Sequence, residues 1–324
     1  MSVRTGQIGI PPLDPPSEFH HDAFLYEGEE GFLAGVVPFI RDGLAAEEPI
    51  LVVVSEARIR LLTSALGADA ERVRFHDMGE VGRNPARIIP LWRDFLDVHA
   101  VAHRPVRGIG EPVWPGRSAA ELVECRHHES LLNLAFDGDH PWRLMCLFDV
   151  EGLDAESLEL ARGTHPFVID REGVGRESES YVSPPDAPGP FEGPLPEAPA
   201  RVAEIAFAED DLAQLRSNVY RSASEAGLDP GGTANASLAV SELAANSVRH
   251  AGGQGTARMW TEPGAFVCEI SDGGRFDSPL VGRVRPTPVQ LYGRGLWLVN
   301  QVCDLVQIRS SERGSVVRIR LGLD

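Results

Sequence analysis

Short apolar runs alternate with segments of helical spacing over the first half of the chain. The run Ile50–Val54 (ILVVV) and the longer segment 142–150 (WRLMCLFDV) are almost entirely apolar. Runs of this length and composition are typical of strands that are buried on both faces. Strands that alternate with helices predict an α/β domain with a mostly parallel sheet. The other elements predicted in this domain are strands at 72–76 and 106–109 and helices at 85–100, 118–136 and 155–162.

The pattern changes in the last third of the chain, where helices precede paired strands. The predicted elements are helices at 209–227, 233–250 and around 296–302, and hairpins of 256–262 with 265–271 and of 305–310 with 315–321. Each hairpin turns at a short segment that contains glycine, as tight connections between strands commonly do. We therefore predict an α/β sandwich, with helices on one face of a mixed, largely antiparallel sheet.

A proline-rich segment separates these two patterns. Residues 182–200 (VSPPDAPGPFEGPLPEAPA) contain three acidic residues, no basic residue and no apolar periodicity. This composition predicts a semi-extended linker between domains, with an ordered strap on one domain as the alternative. The predicted organisation is an N-terminal tail at 1–18, a first domain at 19–181, the linker at 182–200 and a second domain at 201–324.

Charge and composition narrow the classes of function. The chain of 324 residues has a formal net charge of −18, which disfavours direct contact with nucleic acid or with an anionic membrane. It contains no lysine, so a P-loop lysine, a protein-kinase strand lysine and Schiff-base chemistry are excluded. No apolar run is long enough to cross a bilayer, and the N-terminus lacks a secretory signal. Because its four cysteines are scattered and form no CxxC pair, the protein is predicted to be cytoplasmic with reduced thiols.

Polar side chains share one face of the helix predicted at 233–250. Glu242, Asn246 and His250 stand at positions i, i+4 and i+8, and successive members are therefore about one turn apart. The asparagine offers a neutral oxygen to Mg²⁺, and the glutamate is able to polarise a hydroxyl group or a water. A solvated helix face is the alternative explanation of this spacing.

Two segments that contain glycine follow this helix. Asp272 ends an apolar strand and precedes a Gly-Gly pair that includes Gly274. A carboxylate in this position is able to accept a hydrogen bond from the exocyclic amine of adenine, and a plain Asp-Gly turn is the alternative. The segment 293–296 (GRGL) opens a helix, whose free amides and positive dipole end favour phosphate. Without lysine, Arg294 is the natural fixed cation for a polyphosphate, and the three segments in this order together indicate an ATP site.

These motifs resemble those of the GHKL ATPase superfamily, the Bergerat fold that gyrase shares with histidine kinases. The stretch SELAANSVRHA matches the N box of that superfamily, SDGG its first glycine box and GRGLWLV its second. The resemblance covers 201–324 and implies that Asn246 holds Mg²⁺, that Glu242 is the catalytic base and that Asp272 binds the adenine of ATP. It also implies that the segment between the glycine boxes acts as a lid. The other residues implied in cofactor binding are Gly274, Gly293, Arg294, Gly295 and Leu296.

The first helix of this domain and its motif E-L-x-x-N-x-x-x-H-A are similar to those of the anti-sigma-factor serine kinases. The segment directly before the domain is rich in proline and carries no phospho-acceptor histidine helix of the histidine-kinase kind. The resemblance implies an ATP-dependent serine kinase that phosphorylates a STAS-domain antagonist and binds a sigma factor; a homodimer is a further expectation. His250 is expected to be structural or to bond near the lid. Two alternatives stay open: a non-catalytic, ATP-gated sequestering switch and an atypical sensor histidine kinase.

Three N-terminal segments, HHDAFLY, ILVVVS and MCLFDVEGLDAESLELARGTHPFVI, carry a second resemblance, to the MEDS (DcmR-type) sensory domain. That module has a RecA- or KaiC-like fold. The loop at 26–35 has no GxxxxGK[ST] motif, so a nucleotide is not expected there. Cys125 and His128, with Glu129 adjacent, have a helical spacing that suits a metal, but a chance pairing is the stronger explanation. The candidates for lining a sensory pocket are His20, His21, Glu111 and Trp114.

Overall fold

The computed structural model describes residues 18–99, 104–136, 141–184, 189, 191–200, 202, 204–287 and 293–323. The chain divides into two compact units, Met1–Ala187 and Pro188–Asp324. Several residues that carry predictions lie outside the described part, namely 1–17 of the tail, 100 of the helix predicted at 85–100, 185–188 and 190 of the linker, 201, 203 and 324 of the second domain, and 288–292 of the lid. None of the described helices is both long enough and apolar enough to span a membrane.

The N-terminal unit is built on a mostly parallel sheet. Its strands are β1 Phe19–Tyr26, β2 Ile50–Val54, β3 Arg74–Asp77, β4 Val106–Gly110, β5 Trp142–Asp149, β6 Phe167–Ile169 and β7 Gly175–Glu177. Its helices are α1 Gly28–Ala45, α2 Glu56–Leu66, α3 Met78–Val81, α4 Ile88–His99, α5 Ala119–Ala135 and α6 Ala155–Thr164. The strand order is β3-β2-β4-β5-β1-β6-β7, and each pairing is parallel except that of β6 with β7. The predicted α/β class is therefore confirmed.

Local sequence explains most of these elements. All five residues of β2 are buried, as expected for a β-branched run covered on both faces. Helix α5 begins with a capping box in which Ser118 and Glu121 each accept a hydrogen bond from the other's backbone amide. The apolar pattern did not predict β1, although β1 lies between β5 and β6. The reason is that two polar side chains interrupt its apolar run, His21 and Asp22, and both are buried.

The C-terminal unit is an antiparallel sheet with helices. Its elements are β8 Glu204–Ala208, α7 Leu212–Glu225, α8 Pro230–His250, β9 Gln254–Glu262, β10 Ala265–Asp272, α9 Arg294–Val302, β11 Leu305–Ser311 and β12 Gly314–Gly322. The strand order is β11-β12-β10-β9-β8, with antiparallel pairing throughout the described strands. Both predicted hairpins and the α/β sandwich are confirmed. The additional edge strand β8 is mostly exposed and therefore gives little apolar signal.

Helix α8 positions the candidate site. Asp229 caps its N-terminus by accepting from the backbone amide of Gly232, and Pro230 occupies the first turn, where its missing N–H costs nothing. The buried face of α8 belongs to one core with β10, β12 and α9; its members include Ala236, Ala239, Val240, Leu243, Phe266, Ile270, Val299 and Ile319. Leu238 of the same helix lies outside this core and is 40% exposed.

Part of the predicted linker is ordered against the C-terminal sheet. We call residues 191–198 the strap. The ring of Phe191 packs against Phe276, with centroids 5.8 Å apart, and its carbonyl accepts from the backbone amide of Ser310 at 3.2 Å. Farther along, the Arg318 guanidinium donates to the carbonyl of Pro196 at 2.8 Å. These contacts favour the ordered-strap alternative for this stretch of 182–200.

Candidate functional site

Two polar side chains of α8 lie on the half-buried side of that helix. Glu242 and Asn246 are each partly exposed, whereas Leu243 between them is buried in the core. One further turn along, His250 is exposed at the end of the helix. Because residues four apart on a helix lie one above the other, the carboxylate and the amide point to the same neighbour, the start of α9.

Gly295 is the residue of α9 that meets this pair. A Cβ atom at position 295 would lie 2.8 Å from Oε2 of Glu242 and 3.3 Å from Nδ2 of Asn246. The first distance is shorter than real Cβ contacts, so any side chain at this position would displace the carboxylate. Gly295 of the second glycine box therefore lies directly against Glu242 and Asn246 of the N box.

Asp272, at the end of β10, is held by three hydrogen bonds. Its Oδ2 accepts from the Ser247 hydroxyl at 2.6 Å. Its Oδ1 accepts from the Ser315 hydroxyl at 2.8 Å and from the backbone amide of Gly274 at 2.9 Å. A carboxylate has about four acceptor positions, so these bonds fix its orientation and leave one position for an external donor.

The two serines and one more glycine were missed by sequence reasoning. Ser247 follows Asn246 directly in the N box, and that adjacency was the available signal. Ser315 and Gly314 lie in the last hairpin, and no local pattern connects them to Asp272. A Cβ at Gly314, whose φ is +120°, would lie 2.1 Å from the Asp272 carbonyl oxygen, so only glycine allows this close approach.

The second glycine box forms the N-terminus of α9. Gly293 has a left-handed φ of +84° and precedes the first helical residue, Arg294. The side chain of Arg294 is exposed and donates to the carbonyl of Thr287 at 3.3 Å, while Leu296 is buried in the core. The free amides at this helix start are a suitable partner for an anion, and the neighbouring guanidinium adds fixed positive charge.

The predicted lid contacts α9 at more than one described point, and a second bond joins it to α9 beside that of Arg294 to Thr287. Asn300 donates through Nδ2 to the carbonyl of Gly282 at 2.9 Å. Gly282 has a φ of +71°, and a Cβ there would lie 2.7 Å from that Nδ2 atom. The segment before residues 288–292 therefore rests on the same helix whose N-terminus faces Glu242 and Asn246.

These groups fit a nucleotide with a divalent cation. The Glu242 carboxylate and the Asn246 amide offer oxygen atoms, which are the ligands that Mg²⁺ takes while it keeps several waters. The helix N-terminus offers amide groups to phosphate. Asp272 offers a carboxylate oxygen of the kind that accepts a hydrogen bond from an amino group. The missing Cβ at Gly295 leaves room at the point where the two polar side chains meet the helix start.

The N-terminal unit contains a separate polar cavity of about 310 Å³ at the carboxyl ends of its parallel strands. Arg58 donates to the Tyr26 hydroxyl at 3.0 Å and to Oδ2 of Asp149 at 3.2 Å, and its Nε lies 3.7 Å from Oε1 of Glu111. Burial raises the pKa of Glu111. Trp114 also lines this cavity together with Glu111, whereas His20 and His21, the other two candidates for a sensory pocket, are not among its lining residues.

The location of those histidines follows from the strand they share. Successive side chains of β1 point to opposite faces of the sheet. His20 stacks on Phe167, with ring centroids 5.9 Å apart. His21 is buried beside Glu129 of α5.

Comparison with known families agrees with this division. Residues 20–166 match the family described as "MEDS: MEthanogen/methylotroph, DcmR Sensory domain", and residues 205–321 match "Histidine kinase-like ATPase domain". The chain is therefore a MEDS sensory domain followed by a GHKL-like ATPase domain. A sensory domain joined to an ATPase of the kinase type makes the protein a signalling regulator, and its ATPase family implies ATP as the nucleotide.

Two solved structures match parts of the chain. The structure titled "The crystal structure of the RsbU and RsbW domains of Rv1364c from Mycobacterium tuberculosis" is 16% identical with a TM-score of 0.29, and the match covers 39% of this chain and 33% of that one. The Acinetobacter baumannii histidine kinase AdeS is 13% identical with a TM-score of 0.24, over 38% of this chain and 69% of that one. Neither similarity distinguishes a serine kinase from a histidine kinase. No curated protein matches the chain.

Proposed function

We propose that the protein is an ATP-dependent serine kinase with anti-sigma-factor character, which phosphorylates a STAS-domain antagonist under the control of its MEDS domain. The observation that carries this proposal is the approach of Gly295 to both Glu242 and Asn246. It brings a candidate base, a candidate metal ligand and a helix N-terminus to one place. Phosphoryl transfer needs these three kinds of group, because its catalysis is mainly positioning and charge stabilisation.

Each residue of the site has a role in this proposal. Asp272 accepts a hydrogen bond from the adenine amine, and Ser247 and Ser315 hold its carboxylate in position. Asn246 supplies an oxygen to Mg²⁺, which neutralises the charge of the phosphates when it is bound. Arg294 and the backbone amides that follow Gly293 neutralise further phosphate charge. Gly274 and Leu296 shape the walls of the site.

Glu242 is the proposed base. Its carboxylate orients the hydroxyl group of the incoming serine and accepts the proton of that group. The serine oxygen then forms a bond to the γ-phosphorus, the bond from that phosphorus to the β,γ-bridging oxygen breaks, and ADP leaves. Glu242 is partly exposed, so a protein substrate is able to reach it.

Serine as the acceptor is favoured by the segment that precedes the ATPase domain. Between residue 165 and the short 3₁₀ turn at Glu209–Asp211, the described residues contain strands β6, β7 and β8 but no α-helix. The strap occupies part of this interval on the C-terminal sheet. A helical hairpin that presents a phospho-acceptor histidine is therefore absent from the described part of this interval.

Incubation of the full chain with γ-labelled ATP and a candidate STAS-domain protein tests the proposal. We expect acid-stable label on a serine of the STAS protein, and loss of that label with Glu242→Ala. The matched control is Glu225→Ala, which removes an exposed carboxylate at the end of α7 and should leave the label unchanged.

Two other outcomes identify the alternatives. ATP binding without transfer to any partner would favour the sequestering switch, and acid-labile label on the chain itself would favour an atypical histidine kinase. The proposal also includes binding of a sigma factor, a homodimer, a cytoplasmic location and domain boundaries near 181 and 201.

The polar cavity around Arg58 is the proposed place for the signal to bind, since it lies at the carboxyl ends of parallel strands, where ligands of such sheets commonly bind.

A further inference from the structure

Four buried side chains with metal-ligand chemistry meet in the N-terminal unit. They are His21 of β1, Glu129 of α5, Cys146 of β5 and His165 just after α6, and each is at most 2% exposed. One ligand atom from each residue lies within 4.8 Å of the others. The four residues come from four separate elements, so the fold, and not a sequence motif, brings them together.

The measured separations are those of atoms around a common centre. Nε2 of His21 lies 3.2 Å from Oε2 of Glu129 and 3.3 Å from Sγ of Cys146. Nε2 of His165 lies 3.0 Å from the same carboxylate oxygen. Ligands about 2.0–2.3 Å from a tetrahedral Zn²⁺ have similar mutual separations.

The hydrogen bonds outside the cluster determine which nitrogen of each imidazole carries hydrogen. Nδ1 of His165 lies 2.7 Å from the carbonyl oxygen of Ala161, and a carbonyl only accepts, so this Nδ1 is protonated. Asn133 donates through Nδ2 to the carbonyl of Thr164 at 2.8 Å. Its Oδ1 therefore faces Nδ1 of His21, at 3.1 Å, and accepts the proton of that nitrogen. In both neutral imidazoles the lone pair of Nε2 points inward.

Nε2 of His21 lies within hydrogen-bond distance of the Cys146 thiol, but the other inward-pointing nitrogen and the carboxylate oxygens are acceptors that face acceptors. Both carboxylate oxygens of Glu129 and Nε2 of His165 have no hydrogen-bond partner among the residues that the structure describes. Buried acceptors without a donor are costly. A cation at the centre of the cluster removes that cost, because it binds all four groups at once.

We propose that the MEDS domain of this protein binds one Zn²⁺ through His21 Nε2, Glu129, Cys146 Sγ and His165 Nε2. Two imidazoles, a thiolate and a carboxylate form a donor set that zinc accepts in tetrahedral geometry. Four protein ligands leave no position for a substrate, and all four are buried, which is typical of a structural site. The ion would tie β1, α5, β5 and the end of α6 together. The helical spacing of Cys125 and His128 does not form this site, since Cys125 donates to the carbonyl of Pro112 instead.

Metal analysis of the purified full chain tests the proposal. We expect one zinc per chain after expression with zinc, and a lower melting temperature of the N-terminal unit after removal by a chelator, restored by added Zn²⁺. Replacement with Co²⁺ should give the intense visible bands of tetrahedral cobalt and a sulfur-to-cobalt charge-transfer band.

Three variants assign the ligands. Cys146→Ser should abolish the charge-transfer band, whereas Cys125→Ser, which changes an equally buried cysteine of the same unit, should keep both the metal and the band. Asn133→Ala should weaken zinc binding roughly 10–100-fold, because it frees the imidazole of His21 to rotate. These measurements do not depend on the ATPase domain.

A measurement on the wild type alone is able to overturn the proposal, even if a variant fails to fold. The proposal is wrong if the wild-type chain is folded by circular dichroism but takes up neither zinc nor cobalt in stoichiometric amount. The four side chains would then form a buried hydrogen-bond network in which protons, and not a metal ion, lie between the ligand atoms. Zinc retained by Cys146→Ser with an unchanged cobalt spectrum would also contradict it.

Discussion

Replacing Gly295 by alanine should lower the rate of phosphoryl transfer while the free energy of unfolding stays nearly unchanged. The new Cβ would lie 2.8 Å from Oε2 of Glu242, so the oxygen must withdraw by about 0.6 Å to reach the ordinary contact distance of 3.4 Å. That oxygen is the far end of a flexible side chain, and an off-rotamer shift costs about 0.5–1.5 kcal/mol. Alanine in place of glycine within α9 returns up to about 1 kcal/mol. The free energy of unfolding should therefore change by less than about 1 kcal/mol.

The same displacement should have a large effect on phosphoryl transfer. A misplacement of about 1 Å in a catalytic group is able to reduce the rate of a reaction roughly 10²-fold. Because the displacement here is about 0.6 Å, we expect Gly295→Ala to reduce transfer to the STAS protein roughly 10–10²-fold, measured as initial rate with γ-labelled ATP, while thermal unfolding stays close to wild type.

The matched control for this experiment is Gly231→Ala. Gly231 is also the second residue of its helix, α8, and a Cβ there would meet nothing closer than 3.6 Å. This variant should be slightly more stable and fully active. A Gly295→Ala protein that folds normally and transfers phosphate at the wild-type rate would refute the proposed placement of Glu242.

Three further predictions address the site, the core and the strap. Ser247→Ala should weaken ATP binding roughly 10–100-fold, because a hydrogen bond to a charged group is worth about 1.5–3 kcal/mol; calorimetry of this variant beside Ser241→Ala, a change on the same helix outside the Asp272 network, checks it, and equal affinities would contradict it. Burial raises the pKa of the Cys268 thiol to about 12, so iodoacetamide at pH 8 should label this residue only after unfolding, and rapid labelling of the native chain would be inconsistent with the packing of β10. Phe191→Ala should lower the free energy of unfolding of the C-terminal unit by about 1–2 kcal/mol, because a partly buried ring is removed, and an unchanged denaturation midpoint would show that the strap adds no stability.

Sequence reasoning succeeded where the relevant contacts are local. The spacing of Glu242 and Asn246 along one helix follows from helical periodicity alone, and it placed both side chains on the same face of α8. Strands β2 to β5 and the two C-terminal hairpins were predicted from apolar runs and turn glycines, whereas β1, β6, β7, β8 and helices α1, α2 and α3 were not predicted. β1 was missed because two buried polar side chains, His21 and Asp22, interrupt its apolar run.

The parts that were missed depend on contacts between distant segments. Ser315 bonds to Asp272 only because β12 pairs with β10 in a register that places the two residues opposite each other. No local sequence pattern predicts this register. The strap has a composition that suits a free linker equally well, and its contacts with Phe276, Ser310 and Arg318 distinguish the two.

The central claim is that this face of α8 binds ATP together with Mg²⁺. Calorimetric titration of the wild type and of Asn246→Ala with ATP, with and without Mg²⁺, tests it most directly. If Asn246 holds the metal, the wild type should bind ATP more tightly when Mg²⁺ is present, and the variant, with an unchanged melting temperature, should bind ATP equally weakly in both conditions. An Asn246→Ala protein whose ATP affinity still rises with Mg²⁺ as in the wild type would contradict this assignment of the site.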